Sequence, residues 1–225
     1  MAKKSSNNLA NLLLNIVIPT VILMKFSAPE YLGPTTGLLV ALTFPFAYGI
    51  YEYRQKKEFN LFSIIGIISV FLTGGIGLLQ LDPKYVAIKE AGVPLLLAGA
   101  ILFFHKKYPF VKKLLHEVID HKRVYQALHE QEAVDAYEKR LRNGNYLIVL
   151  SFLLSAALNF TLAKMIVVSQ PGTTEFNAEL GRLTALSYPV IALPSMVLMA
   201  VALTYVLFGI RKLAKLEIND IMKNQ

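Results

Sequence analysis

The sequence predicts an all-α membrane protein whose six transmembrane helices form three hairpins, with both termini in the cytoplasm. Of the 225 residues, 55% are hydrophobic and 17% are charged, whereas soluble domains carry about 25% charged residues. Six apolar stretches are each long enough to cross roughly 30 Å of hydrocarbon as a helix. Positive charge is concentrated in alternate connections between these stretches. Together these observations predict a single membrane domain over residues 1–225.

The six predicted spans follow from the length of each apolar run. The first comes after two lysines and has no small-residue cleavage site, so we interpret it as an uncleaved span rather than a signal peptide. The sixth is longer than a bilayer requires and is expected to tilt or to extend past the interface. The spans cover about 9–26, 36–53, 61–80, 85–104, 146–168 and 183–210.

The distribution of charge predicts the orientation. With the N-terminus inside, the cytoplasmic segments hold 18 of the 23 Lys and Arg residues and 10 of the 15 Asp and Glu residues. The whole net charge of +8 then lies on the cytoplasmic side, as the positive-inside rule favours. The basic balance therefore indicates topology and contact with anionic lipid on that face. No groove-reading motif accompanies it, so nucleic-acid binding is not predicted.

The longest connection, 105–143, is charged and predicts a cytoplasmic helical segment. Val111, Leu114, Leu115 and Val118 recur at helical spacing, which is typical of one apolar helix face. An amphipathic interfacial helix or a helical hairpin beneath the bundle fits this pattern. A solvated linker helix is the other interpretation.

Small and polar residues recur at four-residue spacing along five of the spans. This spacing places each set on one helix face, and we expect these faces to point inward because helices in lipid associate through close packing and polar contacts. Simple helix packing is one interpretation of these sets, and a polar-lined interior cavity is the other. Asn15 and Asn159 favour a polar-lined interior, since an amide in hydrocarbon needs partners. The sets are Asn11, Asn15 and Pro19; Gly37, Ala41, Pro45 and Gly49; Ser69, Thr73 and Gly77; Ala87, Ala91 and Gly99; and Ser151, Ser155, Asn159 and Ala163.

Prolines within the spans predict helix kinks, because each removes an intrahelical hydrogen bond. Kinked helices are typical of transporters, although ordinary membrane bundles contain them as well. The predicted kinks are at Pro19, Pro45, Pro94, Pro189 and Pro194.

Charged residues cluster where the third span turns into the fourth. Lys89 and Glu90 lie roughly 5–8 Å into the fourth span, and an ionisable residue inside a span is a functional candidate. Adjacent helix positions do not face each other, so we expect these two side chains to have different partners. Snorkelling to the interface is the structural alternative. The candidates for a ligand site or transport pathway are Asn15, Thr73, Asp82, Lys89, Glu90 and Asn159.

Motifs for enzymatic chemistry are missing from the sequence. There is no cysteine, and no nucleophile elbow, phosphate-binding loop or dinucleotide fingerprint. His116-Glu117 is followed by His121 at i+5, whereas a helical zinc motif needs i+4 so that both rings share one face. The sequence therefore predicts a non-enzymatic protein with neither a cofactor nor a metal site.

The stretch from Ser69 to Pro94 combines a glycine-bearing span, an acidic turn and an Ile-Lys pair before a proline. In these features it resembles the central hairpin of the intracellular septation protein A family of bacterial inner-membrane proteins. The family's usual tryptophan after the lysine is replaced here by Glu90. The matching positions are Gly74, Gly75, Leu78, Leu79, Asp82, Ile88, Lys89 and Pro94.

The first hairpin, with Asn15-Ile16-Val17-Ile18-Pro19-Thr20, looks more like the VC0807-like family of bacterial proteins. Both resemblances imply a multi-pass protein of the bacterial inner membrane that is linked to envelope or division processes. The function they favour is a membrane scaffold whose partners are other membrane proteins or a second copy of the chain. The alternative is a small-solute transporter or permease with a polar-lined cavity.

Overall fold

The computed structural model describes residues 12–56, 61–104, 110–116 and 118–222. Within these ranges the chain is all-helical, with no strand and a single isolated backbone bridge between Ile119 and Met222. The all-α fold class is confirmed to this extent. The helices are α1 (Leu13–Phe26), α2 (Gly33–Lys56), α3 (Leu61–Leu78), α4 (Lys84–Phe104), α5 (Phe110–Leu115), α6 (His121–Glu130), α7 (Val134–Ile166), α8 (Thr174–Ala214) and α9 (Ile218–Ile221).

Three of these helices, α4, α7 and α8, are long and apolar enough to cross a membrane, with 21, 33 and 41 residues. At 1.5 Å per residue, α4 measures about 32 Å, close to the hydrocarbon thickness. Large apolar side chains project from them into the surroundings: Leu96 is 70% exposed, Phe103 81% and Met165 74%. Soluble proteins rarely expose contiguous apolar surface of this kind. These helices therefore indicate a membrane protein.

The predicted spans and the observed helices agree best where the apolar run is uniform. Helix α4 almost coincides with the fourth predicted span, and 183–210 is the apolar part of α8. Helix α7 begins at Val134 rather than near residue 146, because charged residues such as Lys139 are good helix formers and continue the helix beyond the apolar run. Helices α2 and α3 overlap the second and third predicted spans, and residues 9–11 of the first lie outside the described part. That α1, α2 and α3 cross the bilayer stays a prediction.

Helix geometry is irregular around Pro19. The residue lies between two π-helical stretches, Leu13–Val17 and Ile22–Phe26. A proline has no N–H to donate to the carbonyl four residues earlier, and a wider π turn is one way for neighbouring residues to accommodate that gap.

A second irregularity lies in the middle of α8. Pro189 belongs to a π-helical stretch, Tyr188–Ala192, and Pro194 is the second residue of the α-helical stretch that follows. By contrast, Pro45 and Pro94 lie inside stretches that are α-helical throughout. Proline in these spans is therefore accommodated in two different ways.

The chain divides into two compact units. The first contains the described part of Met1–Val93 together with Ala157–Ile191. Its core joins large apolar side chains to the small residues predicted to face inward, and Ala41, Ala87 and Ala163 are at most 2% exposed. The core consists of Leu23, Leu38, Ala41, Ile76, Val86, Ala87, Ala163, Val167, Phe176, Leu180 and Leu183.

The second unit contains Pro94–Ala156 and the described part of Ala192–Gln225. Here α5, α6 and α9 bury their apolar side chains against α7 and the end of α8. The side chains of Tyr137, Leu128 and Ile221 are at most 1% exposed. The core consists of Ala98, Ile101, Val111, Leu115, Ile119, Val124, Leu128, Tyr137, Leu141, Ile148, Val149, Ala202, Val206, Ile210, Ala214 and Ile221.

The described part of the predicted 105–143 segment is therefore neither one long interfacial helix nor a solvated linker. Val111 and Leu115 are buried as the periodicity predicts, but Val118 is 40% exposed because α5 ends at Leu115. Residues 105–109 and 117 lie outside the described part. Of the predicted forms, the short helices resemble the helical hairpin most closely.

The C-terminal segment is attached to this hairpin by backbone and side-chain contacts. The Asp120 N–H donates to the Ile221 carbonyl at 2.8 Å, and the Asp120 side chain caps α6 by accepting from the Arg123 N–H at 3.2 Å. Arg123 also pairs with Asp220 at 2.7 Å. The chain beyond α8 thus folds back onto α6.

Candidate functional site

The most concentrated polar cluster among the predicted site residues surrounds Lys89. Its Nζ donates to the Thr73 Oγ1 at 2.8 Å and to the Ser69 Oγ at 3.3 Å, and it pairs with the Glu90 Oε1 at 2.6 Å. A lysine ammonium has three N–H donors, so three acceptors match its whole donor capacity. The Lys89 side chain is only 8% exposed. We call Ser69, Thr73, Lys89 and Glu90 the ammonium cluster.

Local sequence explains the geometry of the cluster. Ser69 and Thr73 are four residues apart on α3, so both hydroxyls lie on one helix face. The Thr73 hydroxyl also donates to the Ser69 carbonyl at 2.9 Å, which leaves an oxygen lone pair for the lysine. Lys89 lies five residues after the start of α4, about 7.5 Å along the helix. The cluster therefore joins the two helices of one hairpin near one end.

The pairing of Lys89 with Glu90 corrects a prediction. We expected adjacent residues to have separate partners, and that expectation is wrong because the two side chains form an ion pair. The rule that neighbours do not face each other concerns the directions of their Cβ atoms. The long, flexible lysine side chain reaches around the helix to the carboxylate.

Asp82 lies outside the ammonium cluster. It lies in the turn before α4, where it accepts from the Lys84 N–H at 2.8 Å and pairs with the Lys84 Nζ at 2.9 Å. The backbone hydrogen bond, followed by the ammonium, lowers the pKa of the Asp82 carboxyl. Both side chains are well exposed. Asp82 therefore caps the turn and takes no part in the ammonium cluster.

The remaining two candidates are the asparagines of α1 and α7. Asn15 and Asn159 are half-buried, and both have interaction partners. Of the six candidate residues, the structure thus joins Thr73, Lys89 and Glu90.

A further polar node was missed as a structural site. Asn177 is 1% exposed, and its Nδ2 donates to the Pro34 carbonyl at 2.7 Å and to the Ser27 Oγ at 3.1 Å. Thr174 Oγ1 donates to the Ser27 carbonyl at 3.2 Å. These contacts tie the start of α8 to the connection between α1 and α2 and to the first turn of α2. Asn177 lies in a polar run before the sixth predicted span, so the pattern of apolar residues gave no signal for it.

Glu179 is a second missed residue. Its carboxylate accepts from the N–H groups of Val168 and Ser169 at 3.0 and 2.9 Å and from the Ser169 Oγ at 2.7 Å. It therefore satisfies the backbone in the connection between α7 and α8. Glu179 therefore stabilises the conformation of this loop.

The rings of His116 and His121 stack with their centroids 4.8 Å apart. Rings at i+5 fall on different faces only of one continuous helix, and the expected continuous helix is wrong because α5 ends at Leu115. Glu117, between them, lies outside the described part. Among the described residues, no three His, Cys, Asp or Glu side chains come together in a way that could hold a metal ion.

No protein-family model, curated protein or solved structure matches the chain. The resemblance to the septation and VC0807-like families stays a prediction, carried by the residues quoted for it.

Proposed function

We propose that the chain is a six-span protein of the bacterial inner membrane with both termini in the cytoplasm, and that it acts as a non-enzymatic scaffold in envelope maintenance. The observation that carries the proposal is the saturated ammonium of Lys89. Its three donors have three protein acceptors, and its side chain is almost completely buried.

A transport pathway needs polar groups that exchange protein partners for solute or water. Lys89 would have to give up a protein contact to bind a solute, at the cost of leaving a desolvated charge with fewer partners. Hydrogen bonds between helices are a common means of holding membrane bundles together. The cluster therefore favours a role in fixing the α3–α4 hairpin.

The proposed orientation is supported by contacts within the second unit. The N-terminal turns of α7 carry Lys139, Arg140 and Arg142, and the last turn of α8 carries Arg211 and Lys212. Arg140 contacts α8 at the Tyr205 carbonyl, so these basic ends lie together. A single basic side is what the positive-inside rule expects of a cytoplasmic face.

A transporter or permease is the second candidate, and the π-helical stretches favour it. Such stretches occur frequently at functional sites, and discontinuous helices line the binding sites of many transporters. In this chain they flank Pro19 and include Pro189. Glu90, which is 29% exposed, would then be the accessible side of the ion pair.

Flux measurements on reconstituted vesicles separate the two functions. The wild type, Lys89→Ala and Lys84→Ala are compared, because Lys84 is an exposed lysine of the same helix. We expect no solute-dependent flux above that of empty vesicles for any of the three chains. Flux that is present in the wild type, lost in Lys89→Ala and kept in Lys84→Ala would contradict the scaffold and establish transport.

Disulfide cross-linking tests the scaffold directly, because the natural chain has no cysteine. Phe103→Cys places a thiol on an exposed position of α4, and Ala98→Cys places one at a position that is 2% exposed. A scaffold that associates with copies of itself should give a discrete dimer band for Phe103→Cys and none for Ala98→Cys.

A further inference from the structure

An unusual arginine lies between α7 and α8 in the second unit. The Arg140 Nε donates to the Tyr205 carbonyl at 3.0 Å, and the guanidinium stacks over the Tyr205 ring with its carbon 4.0 Å from the centroid. The Tyr205 hydroxyl in turn accepts from the Asn143 Nδ2 at 3.4 Å. Gly209 makes room for the arginine, since a Cβ at that position would overlap the Arg140 side chain.

This arrangement fixes the direction of the guanidinium. Its Nε donates a hydrogen bond and one of its planar faces stacks on the tyrosine ring. Its two terminal NH₂ groups have no hydrogen-bond partner among the described residues. A planar guanidinium held in place is suited to bidentate binding of a phosphate. Stabilisation of the α8 C-terminus by cations accounts for basic residues in its last turn, but it does not account for an arginine supplied by α7.

The arginine lies where two grooves meet. One groove, of about 570 Å³, is basic: four cationic side chains and a single carboxylate line it. Arg211 pairs with that carboxylate, Glu217, at 3.1 Å, whereas Lys212 and Lys215 make no ion pair among the described residues. The basic groove is lined by Arg140, Phe208, Arg211, Lys212, Lys215, Leu216 and Glu217.

The second groove, also about 570 Å³, is mainly apolar and shares Arg140 and Phe208 with the first. Val197 is 64% exposed and Phe208 54%. From Val197 to Phe208 the helix rises about 17 Å, close to half of the roughly 30 Å hydrocarbon layer. The apolar groove is lined by Arg140, Val197, Ala200, Val201, Thr204, Tyr205 and Phe208.

We propose that these two grooves form one binding site for an anionic phospholipid, with the phosphate at Arg140, Lys212 and Lys215 and an acyl chain along Val197, Val201 and Phe208. The excess of positive charge selects an anionic headgroup, and an apolar groove about one leaflet long, ending at that charge, selects a lipid over a soluble phosphate. The inference rests on the proposed insertion in the membrane and not on the scaffold role, so flux or cross-linking results leave it unaffected.

Binding is measured by native mass spectrometry of the purified full-length chain in uncharged detergent, with three probes. Phosphatidylglycerol is the anionic lipid, phosphatidylcholine with the same acyl chains is the zwitterionic lipid, and glycerol 3-phosphate is the headgroup without chains. We expect phosphatidylglycerol to bind about tenfold tighter than phosphatidylcholine, and glycerol 3-phosphate not to displace it at equal concentration.

Charge variants locate the site. Lys212→Gln with Lys215→Gln should weaken phosphatidylglycerol binding about tenfold or more, because each cation near an anionic lipid contributes about 1 kcal/mol. The matched control is Lys113→Gln with Lys122→Gln, which removes the same charge from exposed lysines outside the grooves. Glu217→Gln should tighten binding several-fold by removing the carboxylate.

Arg140→Lys keeps the charge but loses the fixed fork, so it should weaken binding several-fold without changing the fold. Equal binding of both lipids, equal losses in the groove and control variants, or weaker binding in Glu217→Gln would each overturn the proposal. Full displacement by glycerol 3-phosphate would overturn the lipid and indicate a soluble phosphate ligand.

Discussion

The two units of the chain treat a buried or half-buried cation in opposite ways. In the first, the Lys89 ammonium has as many protein acceptors as donors. In the second, Arg140 is fixed by Tyr205 through one nitrogen and one face, and it lines a groove with further cations. A saturated charge stabilises the fold, whereas a fixed and unsaturated one is suited to a ligand.

The largest expected effect on stability is at the Lys89 ammonium in the first unit. Glu90→Ala leaves the Lys89 ammonium nearly buried with only two hydroxyl acceptors, which should lower the free energy of unfolding by about 3 kcal/mol. The combined change Lys89→Met and Glu90→Leu should recover most of that loss, because apolar replacement of a buried ion pair is often neutral. Thermal unfolding in detergent measures both. If Glu90→Ala were as stable as the wild type, the cluster would not stabilise the fold.

The next largest effect is expected at glycines where two helices lie in close contact, one glycine in each unit. A Cβ at Gly144 in the second unit would overlap Val206, and one at Gly77 in the first would overlap Leu38. Valine is stiff at χ1 and leucine yields more easily, so Gly144→Ala should cost about 2 kcal/mol and Gly77→Ala about 1 kcal/mol. Gly99→Ala, with nothing nearby, is the control and should be neutral or slightly stabilising. Reversed order in thermal unfolding would contradict this.

A smaller effect is expected at Tyr125 in the second unit. Its hydroxyl accepts from the Lys112 Nζ and donates to the Glu138 Oε1, both at 2.8 Å, so Tyr125→Phe should cost about 1 kcal/mol. Burial is the main cause of a raised pKa for this hydroxyl. The neutral form therefore stabilises the fold below the ordinary pKa of 10.0, and this contribution is lost as the pH rises through the raised value. The stability difference between wild type and variant should shrink in that range, and a constant difference would contradict it.

The smallest effect concerns an exposed pair. Arg123 and Asp220 are 52% and 40% exposed in their side chains, so Asp220→Asn should cost about 0.5 kcal/mol or less. The remaining difference should disappear in 1 M salt, because exposed charges are screened there. If the loss of unfolding free energy in Asp220→Asn persisted in 1 M salt, it would not come from the ion pair between Arg123 and Asp220.

The sequence predicts helices reliably where the apolar run is uniform and less reliably where a helix continues into charged residues. Helix α4 and the apolar part of α8 follow from uniform apolar runs, whose backbone must form helices in hydrocarbon. The start of α7 could not be placed, since a helix continues through charged residues outside the apolar run. Of the small residues that spacing predicts to face inward, Ala41 and Ala87 are buried, whereas Gly99 is exposed.

The site contacts were less predictable because they depend on tertiary structure. Lys89 was identified as a candidate from its place in an apolar run, but its pairing with Glu90 required the path of the side chain. Arg140 and Tyr205 are 65 residues apart, and Gly209 leaves room for the arginine side chain that reaches the carbonyl. No local pattern joins three such positions.

The contrast between the two cations is tested most directly by melting temperatures with and without phosphatidylglycerol for three chains: the wild type, Lys89→Ala, and Lys212→Gln with Lys215→Gln. We expect Lys89→Ala to melt lower without lipid and to keep the full lipid-induced rise, while the double variant melts like the wild type and loses most of that rise. The opposite pattern, with the lipid response lost in Lys89→Ala and kept in the double variant, would contradict the assignment of structure to one unit and binding to the other.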